Sequence, residues 1–164
     1  SLFKISIMKV NIGISDANLK KIYALLNKTL ADANIFYIKL RKFHWNLKGP
    51  DFMEYHLLFE KQYEGVEKAI DEIAERITSL GGVAIGTTEE FSKLSQLKES
   101  AGKVPSEDQM LKELLADHET MIRTLRENID KCDEDYKDAG KADFLTDLIR
   151  EHEKNAWKLR QYIR

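Results

Sequence analysis

His56 and Glu60 stand four residues apart, and Asp71 and Glu75 repeat that spacing further along the same stretch. On a helix, side chains four apart lie on one face, so each pair can aim its donors at a common point. His44, a little upstream, adds a second imidazole. Imidazole nitrogen with carboxylate oxygen suits iron, manganese or zinc, whereas magnesium and calcium prefer oxygen alone. Yet the two pairs cannot meet within one helix. At about 1.5 Å of rise per residue, His56 and Asp71 are about 22 Å apart, too far for a mononuclear or dinuclear centre. If all five residues serve one centre, a second copy of the chain must supply the missing half. A two-fold axis running two copies of this helix antiparallel does so, because such an interface pairs residue i with j and j with i.

Each residue also has a plainer use. A histidine near a helix end, as His44 is, can cap the helix or sit satisfied in the core. A His/Glu pair on a charged helix can be surface decoration, and Asp71 and Glu75 can pair with Lys68 or Arg76 as solvated charges. His118 and His152 are of a type that could serve as extra metal ligands, but they read as surface or interface residues. Cys132, the single cysteine, reads as a helix residue without chemistry.

The elements that must position these residues are helices. Ser15 and Asp16 are N-cap residues for a first helix, whose apolar stripe runs Leu19, Ile22, Tyr23, Leu26, Leu30, Ala33, Phe36, Tyr37, Leu40, Phe43 and Leu47. Gly49 and Pro50 end it. A second helix spans about Asp51 to Leu80, with Leu57, Tyr63, Val66, Ile70, Ile73, Ala74 and Ile77 inward and Gly81-Gly82 as its stop. A connection of about 25 residues follows, longer than a helix hairpin needs, and the segment from Thr88 predicts a short helix inside it. Ser106 and Gln109 form a capping-box pattern that opens a third long helix, to about Tyr136. A turn at Asp138-Ala-Gly140-Lys leads to a fourth, from about Ala142 to the C-terminus, with Phe144, Leu148, Ile149, Ala156, Trp157 and Tyr162 on its core face. The fold class is all-α: a four-helix bundle whose long crossover lets the second and third long helices run parallel, as in ferritin-like bundles.

The composition agrees with one domain, residues 15–164, preceded by an arm, residues 1–14. A hydrophobic share of 43% and a charged share of 33% over 164 residues suit amphipathic helices around a real core. The net charge of −2 disfavours a surface built to displace counterions from nucleic-acid phosphates. The lone cysteine excludes an intrachain disulfide and fits a reducing cytoplasm. No apolar run approaches the ~18 residues that span a bilayer. The arm is mildly apolar and alternating, strand-like or extended, and lacks a signal-peptide core.

Taken in order, HWN-x-x-G-x-x-F-x-x-x-H-x-x-x-E from His44 to Glu60, then D-x-x-x-E-R from Asp71 to Arg76, resembles the signature of the Dps family, the mini-ferritins. The likeness continues in register over about residues 15 to 163, including the short helix of the connection and Ala156-Trp157-x-Leu159. It implies that His44, His56 and Glu60 of one subunit face Asp71 and Glu75 of a two-fold mate to form a ferroxidase site. It also implies a hollow homododecamer that oxidises Fe(II), preferably with hydrogen peroxide over oxygen, and stores the ferric product inside. Carboxylates favour Fe(III) by charge, and two irons supply both electrons that peroxide takes.

By the same resemblance Trp45 is a sink for a stray oxidising equivalent; a plain packing anchor is the alternative. Glu60 stands where many relatives carry Asp. Thr78, three residues after Glu75, breaks the Glu-x-x-His motif of ordinary ferritins and disfavours a di-iron centre inside one bundle. Asp138, Asp143 and Asp147, gathered round a three-fold axis, would line an acidic pore for iron; helix N-terminal stabilisation and a solvated face are the plainer uses. Two other readings of the chain compete. One is a DNA-compacting shell, disfavoured by an arm with only Lys4 and Lys9 and by a C-terminus without a lysine tail. The other is a bundle holding structural zinc at the dimer interface without redox turnover.

Overall fold

A computed structural model describes residues 8–164; residues 1–7, Lys4 and half of the arm among them, lie outside the described residues. The helices are α1 (Asp16–Asn46), α2 (Phe52–Ser79), α3 (Thr88–Leu94), α4 (Glu107–Asp130) and α5 (Ala139–Tyr162), with a π-helical turn, Lys131–Asp135, between α4 and α5. Each start has a chemical cause. The Ser15 hydroxyl accepts from the Asn18 N–H at 3.2 Å and the Ser106 hydroxyl from the Gln109 N–H at 3.3 Å. Thr87 and Glu90 form a full capping box at α3, a signal that the sequence pattern from Thr88 onward passes by.

Helices α1 and α2 form one antiparallel hairpin, α4 and α5 the other. The Tyr162 hydroxyl at the end of α5 donates to Glu54 near the start of α2 at 2.8 Å. At the other end, a side chain on Gly140 would come within 3.2 Å of the Arg76 guanidinium. Helix α2 is therefore antiparallel to α5 and parallel to α4. The long connection crosses the bundle end to end, as its length implied, and the all-α ferritin-like bundle expected from the sequence is what forms.

The expected α1 stripe is buried from Leu19 to Phe43 except for the half-buried Tyr23 and Tyr37, with Phe36, Ile22, Leu26 and Leu40 fully enclosed; each such enclosed side chain contributes about 1.5–3 kcal/mol. The reversal into α2 depends on Gly49. Its φ is +142°, a backbone conformation that L side chains rarely adopt, and a Cβ there would also displace the Glu107 carboxylate, 2.5 Å away.

Four expectations need correction. Leu57 is 50% exposed; the inward series of α2 is Tyr55, Phe59, Gln62, Val66, Ile73 and Ile77, whose three-and-four spacing puts Leu57 on the opposite face. Trp157 is 53% exposed, while Leu145 and Leu159 fill the core of α5. The third long helix loses α-geometry at Asp130: the Tyr136 N–H reaches the Lys131 carbonyl at 3.0 Å, a π-helical bond. Finally, the segment read as a turn at Asp138 is the first turn of α5. Lys137 takes the positive φ (55°) instead, and Asp138 caps the helix through the Lys141 N–H at 3.1 Å.

Candidate metal centre

His44 closes α1 and His56 opens the second turn of α2, so the Gly49 reversal brings them face to face. The two rings stack at 3.7 Å between centroids and 12° between planes. Each ring is held by the other residue's backbone. His44 Nδ1 lies 2.8 Å from the His56 carbonyl oxygen, and His56 Nδ1 lies 3.0 Å from the His44 carbonyl oxygen. A carbonyl only accepts, so each Nδ1 carries the proton and donates it. In the neutral rings each Nε2 is then a bare lone pair, the form a metal ion requires. Phe52 stacks on His56 at 4.9 Å, and Tyr63 meets His44 edge-on at 5.2 Å. These two aromatics stand four residues before and seven after His56, so the helical period could have marked them as its walls.

Glu60 is half-buried one turn beyond His56. Asp71 and Glu75 are exposed on the same unbroken α2, with Asp71 about 22 Å beyond His56 at the helical rise. Among the described residues, no three His, Cys, Asp or Glu side chains of one subunit gather as a metal site. Trp45 is 62% exposed, and the Arg41 guanidinium lies 4.7 Å from its ring centroid. Ile38, Met53 and Leu57 also expose large apolar side chains on α1 and α2.

The three aspartates expected at a pore do not stand together. Asp143 and Asp147 are exposed one turn apart on α5, Asp147 with Arg150 at 3.3 Å. Asp138 is buried, and its carboxylate accepts from the Lys141 ammonium at 2.9 Å. A capping carboxylate committed to a buried lysine is not free to line a channel.

His118 and His152 are a clear correction: they are interior residues. His118 is wholly buried, and its Nδ1 lies 2.9 Å from Nδ1 of the half-buried His152. Its Nε2 donates to the Gln62 side-chain oxygen at 3.0 Å. Phe36 meets His118 edge-on at 4.6 Å. Burial, and secondarily the neighbouring His152, pushes the His118 imidazole far below its ordinary range, and burial pushes His152 down to about 4. Their positions fall on the inward stripes of α4 and α5, a signal overridden by the general preference of polar residues for water. Cys132 is also buried; burial, then the nearby Asp138 charge, pushes its thiol up to about 11 and makes it a poor nucleophile.

The ferritin-like domain family matches residues 23–164. An uncharacterized low temperature-induced protein of Nostoc sp. is 45% identical over 155 residues, covering 94% of this chain and 87% of that protein. DNA protection during starvation protein 2 of Bacillus anthracis is 35% identical, covering 88% of this chain and 97% of that protein. Among solved structures, a Dps protein of Vibrio cholerae, described as a member of a superfamily of ferritin-like diiron-carboxylate proteins, superposes with a TM-score of 0.88. It is 29% identical and covers 96% of this chain and 98% of that one.

Proposed function

The chain belongs to the Dps group of the ferritin-like family, and from that premise we propose that it stores iron and oxidises Fe(II) at a centre shared between two subunits. One observation supports this reading: the reciprocal ring-to-carbonyl hydrogen bonds that put the donating proton of His44 and of His56 on Nδ1 and turn each Nε2 away from the backbone. With Glu60 they offer a nitrogen–oxygen half-site suited to Fe(II). Asp71 and Glu75 of a two-fold mate complete it. The exposed Ile38, Trp45, Met53 and Leu57 give that mate apolar surface to cover on the same two helices.

Iron is the substrate. Two Fe(II) and one hydrogen peroxide with two protons give two Fe(III) and two waters, so no one-electron product of peroxide is released. His44 and His56 hold the ions by neutral nitrogen, and the three carboxylates favour the ferric charge. Trp45, beside Arg41, supplies an electron when only one iron is present. Asp143 and Asp147 draw Fe(II) towards the interior of a dodecameric shell, where ferric product accumulates within a reducing cytoplasm. Peroxide is the preferred oxidant, with oxygen slower.

The test is stopped-flow ferric absorbance with Fe(II) and peroxide for wild type, His44→Ala and Asp71→Ala. Each variant alone should lose fast oxidation, and dissociating, mixing and reassembling the two should restore part of it, because some interfaces then pair two intact halves. No acceleration over buffer by the wild type would defeat the ferroxidase reading in favour of structural zinc at the same interface.

A further inference from the structure

The centre of the bundle contains a second pair of imidazoles that iron oxidation at the interface does not use. His118 from α4, His152 from α5 and Gln62 from α2 converge there, walled by Phe36 of α1. Burying two imidazoles and a primary amide is costly unless their polar atoms are satisfied. One is not: Gln62 is 2% exposed and its side-chain nitrogen has no partner among the described residues. A buried N–H donor left over in this way calls for an acceptor such as a water.

We propose that His118 and His152 form an intrasubunit binding site for a divalent transition ion of the imidazole-preferring class, with Cu(II) the best fit. Three features carry it. First, cis ligands on a tetragonal ion with metal–nitrogen bonds of about 2.0–2.1 Å stand about 2.9 Å apart, and the two Nδ1 atoms are 2.9 Å apart. Second, His118 donates its Nε2 proton to Gln62, so its Nδ1 is already a bare lone pair, oriented from behind as a metal-binding imidazole is. His152 needs only to move its proton from Nδ1 to Nε2, so uptake releases no net proton from the pair. Third, His152 lines a mainly apolar cavity of about 30 Å³ that Thr29 and Thr124 also border, room for about one water beside that imidazole. This site is independent of the interface centre and of the ferroxidase reading.

The chain has four histidines, which makes a clean experiment. In a His44→Ala/His56→Ala assembly the buried pair supplies the only imidazoles. The metal-stripped assembly is titrated with Cu(II), and the bound ion is read by electron paramagnetic resonance and X-ray absorption. One copper per subunit with hyperfine lines from two nitrogens and imidazole scattering is expected. Adding His152→Gln should weaken that binding at least about tenfold. No copper bound in the His44→Ala/His56→Ala assembly overturns the proposal; so does copper surrounded by oxygen alone, which needs no core variant to detect. Wild-type iron oxidation by His152→Gln would leave the interface reading standing whichever way the copper result falls.

Discussion

The protein has two histidine pairs built from the same side chain and put to opposite use. His44 and His56 lie parallel and turn their Nδ1 atoms back onto backbone carbonyls, so their free nitrogens point away from the chain's own hydrogen bonds. His118 and His152 turn Nδ1 towards Nδ1 and spend their hydrogen bonding on each other and on Gln62. The first pair sits at the turn between α1 and α2 beside the exposed Trp45, Met53 and Leu57, and the second sits between α4 and α5 with His118 wholly buried. What separates the two pairs is which nitrogen their surroundings protonate: the backbone acceptors select Nδ1 in the first, and the Gln62 acceptor selects Nε2 of His118 in the second.

The sharpest way to break this comparison is kinetic. His44→Ala should slow iron oxidation by about a hundredfold, the upper range for damage to a metal site's ligands and their supports, while His118→Gln and His152→Gln should stay within about twofold. Equal losses in stopped-flow traces would mean that the pairs act together.

Acid should separate them next. Burial holds folded His152 at about 4 and His118 low, whereas an unfolded histidine titrates near 6.5. Between these values the unfolded chain binds more protons, so stability is full above about pH 6.5 and is lost as pH falls towards 4. The loss from His152 alone is about 3 kcal/mol. Urea midpoints measured from pH 7 to 4 should fall more steeply for wild type than for His118→Gln/His152→Gln. Parallel curves would show that the buried pair is already protonated when folded.

Gln62→Leu should cost about 1–3 kcal/mol, because it strips the buried His118 Nε2–H of its acceptor. Denaturation should show the loss with iron oxidation unchanged, and a neutral result would assign the His118 proton elsewhere. The smallest effect is expected from Phe52→Ala, about 1 kcal/mol for the lost stacking on His56. It should be accompanied by a modest rise in the iron concentration needed for half-maximal rate, and an unchanged dependence would remove Phe52 from the site's walls.

Much of the fold was legible because helices are local. The Ser15 and Ser106 caps, the α1 stripe and the need for a long crossover all follow from residues a few positions apart, and the ferritin-like relationship followed from the spacing between His44 and Arg76. Misreadings arose where a side chain had two competing faces. Leu57 and Trp157 are apolar yet exposed because the rest of their helices fixed the phase. The start of α5 was misplaced because the Asp138 carboxylate, bonded to Lys141, overrides the turn signal of Gly140.

By itself the sequence determined five helical segments, their apolar faces and the fact that His56 and Asp71 stand too far apart on one rigid helix to share an ion. Periodicity and rise per residue are properties of the backbone and need no partner. Only the tertiary structure decided which nitrogen of each histidine is free and that His118 and His152 meet in the core. A protonation site is set by the acceptor brought against it, and those acceptors, the carbonyls of residues twelve positions away and Gln62 fifty-six positions from His118, arrive only when the bundle closes.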